Sequence, residues 1–148
     1  MVSPLDLRTI FLEKHAQHVV LIHFPIALFI SGVIFDLISR GKRDSLVSGA
    51  AYLNLSVAMA LLFPTVATGL LAWRFAFKGA KLEGVLLLHF VAAMFSSLLV
   101  MASWWLHWQA RKSGMLILPR SRIPIEVLGV VVMALTAHLG GFLSGLNS

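Results

Sequence analysis

Four long apolar runs, each stopped by basic residues, set the pattern of this chain. The first covers residues 19–38, VVLIHFPIALFISGVIFDLI, and ends at Arg40, Lys42 and Arg43. The second, about 46–72, holds no charge and gives way to Arg74, Lys78 and Lys81. The third, about 84–108, is closed by Arg111 and Lys112. A segment with Pro119, Arg120, Arg122 and Pro124 then leads into the fourth, about 125–143. About 20 helical residues, rising about 1.5 Å each, cross a hydrocarbon core of about 30 Å, so each run is long enough to span. The pattern predicts an all-α fold: an integral-membrane four-helix bundle with short loops, as one transmembrane domain over residues 1–148. Pro25 and Pro64 each remove a backbone donor and are expected to bend the first and second helices.

Composition agrees. With 59% hydrophobic residues, 12% charged and a mean hydropathy of +0.91, a soluble domain of this size could not keep its apolar surface from water. The net charge of +6 lies at the ends of apolar runs, where it reads as topology and attraction to anionic lipid, not as nucleic-acid binding. The expected partners are the lipid bilayer and other membrane or periplasmic redox subunits, with no nucleic acid. The chain has no cysteine, which excludes disulfides, thiolate metal sites, Fe–S clusters and covalently attached haem. The first fourteen residues mix Asp6, Arg8, Glu13 and Lys14, unlike the basic start of a cleaved signal, so the first span is read as retained. The face carrying the N-terminus holds five basic residues and the opposite face seven. That bias favours both termini outside, in the periplasm of a bacterial inner membrane.

Three histidines lie inside these spans: His23 near the start of the first, His89 near the start of the third, His138 near the end of the fourth. Four crossings bring all three to one membrane face. An ionisable residue at membrane depth is costly and points to function. A six-coordinate haem iron takes two axial ligands, commonly His, and facing helices of a bundle supply them. The expected cofactor is one haem b, with a quinone as a further candidate. His89 with either His23 or His138 would ligate the iron, and the spare could bond a propionate or line a quinone pocket. His15 and His18, nearer the surface on that side, could take outer roles. Gly69 in the second span and Gly141 in the fourth, with Thr65, Thr68 and Ala72, leave room for a flat macrocycle.

On a helical wheel His89, Ala93, Ser96, Val100, Ser103 and His107 share one stripe, while Phe90, Phe95 and Trp105 fall elsewhere. Small and polar faces are the packed ones in membranes, so His89 should point into the bundle. His107 lies on that stripe about 27 Å further along. It finds no histidine at its own level and, beside Trp104, Trp105 and Trp108, reads as interfacial. A single membrane histidine is more often a hydrogen-bonding partner between helices than a ligand. Asp36 is expected to pair with Arg40 four residues on, and Glu83 and Glu126 to sit at helix starts where a carboxylate is welcome. A three-His zinc site would want carboxylates to orient its ligands, and none is expected at that depth. No G-x-S-x-G, H-E-x-x-H or P-loop pattern occurs. A proton or small-solute carrier would want acids at the midplane, and Asp36 is too near an end.

The segment HAQHVVLIHFPIALF, residues 15–29, resembles the opening signature of the DUF2231 family of predicted bacterial membrane proteins. That signature has the form H-P-x-H-P-x-x-x-H-F-P-I-A. His15, His18, His23, Phe24 and Pro25 match it, while Ala16 and Val19 stand where the family has proline. Gly69 to Trp73 is similar to the family's G-x-x-D-W, with Ala72 in place of the acid, and Gly140 to Leu143 to its G-G-x-L. The resemblance implies four spans and this histidine set, in a small membrane protein that works as a redox or complex subunit. The expectation is therefore a b-type cytochrome subunit passing electrons between a quinone pool and a partner. The alternative is a cofactor-free structural or assembly subunit.

Overall fold

A computed structural model describes residues 14–40, 42 and 45–144; the N-terminal segment weighed above lies outside them. Among the described residues four helices follow in order: α1 (Lys14–Ser39), α2 (Leu46–Phe75), α3 (Gly84–Lys112) and α4 (Arg122–Leu143). Each contains one segment long and apolar enough to cross a membrane, and together they form an all-α four-helix bundle. α4 begins three residues before its apolar run, so Arg122 opens the helix instead of preceding it. Pro25 and Pro64 lie inside α1 and α2.

The helices run up, down, up and down. His18 meets Thr68 and Ser31 meets Asn54 between α1 and α2. Trp104 donates to Ser56 and Arg111 to the Ser48 carbonyl between α3 and α2. His89 meets Thr136 and His107 meets Glu126 between α3 and α4. In each pair the numbers rise on one helix as they fall on the other, which is antiparallel packing. An isolated antiparallel bridge from Lys42 to Ile117 joins the α1–α2 and α3–α4 connections, which four crossings place on one face.

The core is Phe29, Val33, Leu55, Ala58, Leu62, Val100 and Met133. Close approach there depends on small residues, as helix packing within lipid generally does. A β-carbon on Gly129 would lie 2.8 Å from the Phe29 ring, and one on Gly32 3.0 Å from Leu55. Large apolar residues such as Leu53, Phe63, Leu98 and Val131 face outward, where acyl chains solvate them.

The burial of α3 follows the stripe read from its sequence. Ser96, Val100, Ser103 and His107 are buried and His89 and Ala93 half-buried, whereas Phe90, Phe95 and Trp105 are exposed. Packing is uneven along the bundle. No residue of α3 before Ser96, and none of α4 after Thr136, is buried. The tight end is the one bearing the α1–α2 and α3–α4 connections.

Candidate functional site

At that tight end, charge collects inside the bundle. Asp36 comes from the last turn of α1, Ser103 and His107 from α3, and Arg122 and Glu126 from the first two turns of α4. All five are buried: Asp36, Glu126 and Ser103 are 0% exposed, His107 2% and Arg122 3%. α2 adds no charge here, since Arg74 is its only charged residue.

The sequence explains the convergence. Asp36 lies one turn from Val33 and two from Phe29, both core residues, so the core-facing stripe of α1 carries it inward. His107 ends the packed stripe of α3, and Glu126 lies one turn from Gly129, against which Phe29 packs. The groups then pair across helices. Arg122 Nε donates to Asp36 Oδ2 at 2.5 Å. Its NH1 donates to the carbonyls of Leu118 and Pro119 at 3.4 and 3.1 Å. His107 Nε2 lies 2.8 Å from Glu126 Oε1 and 3.8 Å from Asp36 Oδ1, and Ser103 Oγ donates to Glu126 Oε1 at 3.4 Å. With Glu126 ionised its carboxylate can only accept, and Nε2 of His107 then carries the proton.

Two sequence expectations are corrected here. Asp36 does not pair with Arg40, which is exposed at φ 53° just beyond the helix. Its partner is Arg122, 86 residues away, because Asp36 faces the core and Arg40 does not. His107 is not interfacial but among the most buried large side chains, held inward by Glu126. The two carboxylates and one guanidinium sum to −1 with neutral His107. Asp36 Oδ1 and Glu126 Oε2 are buried and accept no hydrogen bond from the protein. Leaving such oxygens unmet is costly. Among the described residues, Asp36, His107 and Glu126 form the group whose ligand atoms lie within 4.8 Å of one another.

The histidines singled out by sequence occupy the looser end, and among the described residues His18, His23, His89 and His138 do not form such a group with one another. His89 is half-buried; its Nδ1 donates to the Thr136 carbonyl at 3.1 Å, and its ring packs on Gly140. His23 is exposed, its Nδ1 donating to the Val19 carbonyl of its own helix at 2.6 Å. His138 is exposed and meets Phe142 edge-on. His18 bonds Thr68 and packs on Gly69, so that glycine serves a histidine next to it in space. Gly141 is half-buried on α4. His15 lies in α1, with its side chain outside the described residues, as is Gly145.

Comparison with known proteins adds one match. The model of a family described as a predicted membrane protein, DUF2231, fits residues 14–145. No curated protein and no solved structure matches.

Proposed function

Because the chain belongs to the DUF2231 family of predicted membrane proteins, its work is done in or at the bilayer, and we propose that it handles a cation there. The carrying observation is the buried centre of Asp36, Arg122, His107 and Glu126, with a net charge of −1 and two unmet carboxylate oxygens. Such a centre gains by taking up positive charge, because isolated charge in a low-dielectric interior is expensive. The desolvation of a buried ion pair is repaid only where further hydrogen bonds satisfy its remaining lone pairs; this one leaves two unsatisfied. The centre lies about 5–8 Å inside the helix ends, close enough to water for exchange. We place both termini in the periplasm of a bacterial inner membrane and the centre near the cytoplasmic face.

The test is electrical. Proteoliposomes on a solid-supported membrane are given a pH step, then a divalent-cation step. The unmutated protein should show a transient charge displacement that Glu126→Gln and Asp36→Asn reduce severalfold. Equal transients in all three would sink the reading.

A second reading, one haem b with electron transfer to membrane or periplasmic redox partners and a quinone, keeps a specific support at the other end. His89 and His23 each give Nδ1–H to a backbone carbonyl. That tautomer leaves the Nε2 lone pair for a ligand, as metal-bound histidines are commonly set. A reduced-minus-oxidised spectrum of protein expressed with ample haem decides it: a sharp α-band lost in His89→Ala supports it, a flat spectrum removes it.

A further inference from the structure

Resting on the cation reading, we propose that Asp36, His107 and Glu126 form a binding site for one first-row divalent transition metal, of the zinc, cobalt or manganese class.

The geometry comes first. Metal–ligand bonds of about 2.0–2.2 Å put tetrahedral ligand atoms about 3.4 Å apart. From His107 Nε2 the distances are 2.8 Å to Glu126 Oε1 and 3.8 Å to Asp36 Oδ1, which straddle that value. Shifts of about half an ångström would seat an ion between the three. The unmet oxygens supply the second argument. Asp36 Oδ1, one of the ligand atoms, is a buried oxygen without a donor, and so is Glu126 Oε2, the second oxygen of the other ligand carboxylate; a metal takes the first directly and lies against the carboxylate of the second. An imidazole with two carboxylates suits zinc, cobalt or manganese. Calcium and magnesium prefer oxygen alone.

The surroundings complete the design. Arg122 Nε holds Asp36 by Oδ2, which orients the carboxylate and leaves Oδ1 for the ion. Ser103 holds Glu126. Such outer hydrogen bonds set ligand orientation in known metal sites. Charge favours the ion. With neutral His107 the centre carries −1, and the imidazole offers its Nε2 lone pair by holding its proton on Nδ1 instead. A divalent ion then takes the centre to +1.

The experiment uses the full chain, metal-stripped in detergent and titrated with Zn2+ by calorimetry. One Zn2+ per chain is expected. His107→Gln and Glu126→Gln should weaken binding by at least about 100-fold, more than loss of an outer partner does, whereas His23→Ala, His89→Ala and His138→Ala leave it unchanged. X-ray absorption on the unmutated zinc-loaded protein guards against misfolded variants: one imidazole among nitrogen and oxygen ligands is expected. Two or more imidazoles, or binding untouched by His107→Gln, would overturn the site. If zinc fails to bind while the pH-step transient persists and still depends on Glu126, the metal assignment falls alone. If both vanish, the cation reading falls with it.

Discussion

Replacing Arg122 by methionine removes the guanidinium and keeps much of its volume. The pair it breaks is buried on both sides, with Arg122 3% and Asp36 0% exposed. Breaking a buried ion pair from one side costs about 3–5 kcal/mol, because the survivor stays charged in a poor solvent. Two features pull the figure down. Asp36 lies beside the first turn of α4, whose dipole favours an anion by about 0.3–1 kcal/mol, and His107 is 3.8 Å away as a second partner. Two pull it up: the carbonyls of Leu118 and Pro119 lose their donor, at about 1 kcal/mol each. The balance stays at about 3–5 kcal/mol. The double variant Asp36→Leu, Arg122→Met removes both charges and should return to within about 2 kcal/mol of the parent, since apolar replacements of buried pairs are often neutral. Unfolding in detergent mixed with SDS can be followed by fluorescence of Trp104, Trp105 and Trp108 on α3, where Trp104 stacks on Trp108 and Trp105 tilts against it. A loss under about 1 kcal/mol for the single variant, or strict additivity of the two changes, would refute the view that these charges hold α1 to α4.

Three further outcomes can be read in the same assay. Gly129→Ala should cost about 1–3 kcal/mol by overpacking, because the new methyl lies 2.8 Å from a fully buried Phe29 ring; an unchanged midpoint would show that the ring can move. Ser45→Ala removes the cap of α2, where the Ser45 hydroxyl accepts from the Ser48 amide at 3.1 Å, and should cost about 1 kcal/mol with metal affinity unaltered. Lys78→Gly should stabilise by up to about 1 kcal/mol, since Lys78 adopts φ 54°, a conformation glycine enters without penalty; a loss would mean that its side chain matters.

The spans were readable because lipid demands long apolar runs, and the packed stripe of α3 because small residues recur at helical spacing. The charged centre was missed for a definite reason. The four-crossing topology that gathers His23, His89 and His138 on one face also gathers the end of the first span, the end of the third and the start of the fourth on the other. Asp36, His107, Arg122 and Glu126 meet at that level, where the partner of His107 is a carboxylate and not a second histidine. Arg40, four residues from Asp36, offers a local partner that the pattern alone cannot tell from the distant Arg122. His107 already lay on the stripe assigned to the interior, which was the signal that its tryptophan neighbours outweighed. What the pattern could not supply was rotation: whether Asp36 faces Arg40 or the core depends on the packing of Phe29 and Val33. Position near a helix end does not decide exposure either: Asp36, one turn from the end of α1, is fully buried.

The pairing of Asp36 with Arg122 joins the first of the four described helices to leave the ribosome with the last of them. Synthesis at about 5–20 residues per second separates them by roughly 4–17 s, from the 86 positions between them. Through that interval the nascent chain holds an acid at a membrane depth where its partner does not yet exist. An interrupted product therefore carries a built-in mark of incompleteness that the finished protein erases. Pulse-labelled chains ending at residue 118 should be degraded faster than the same fragments carrying Asp36→Asn, and equal lifetimes would show that the bare acid goes unnoticed.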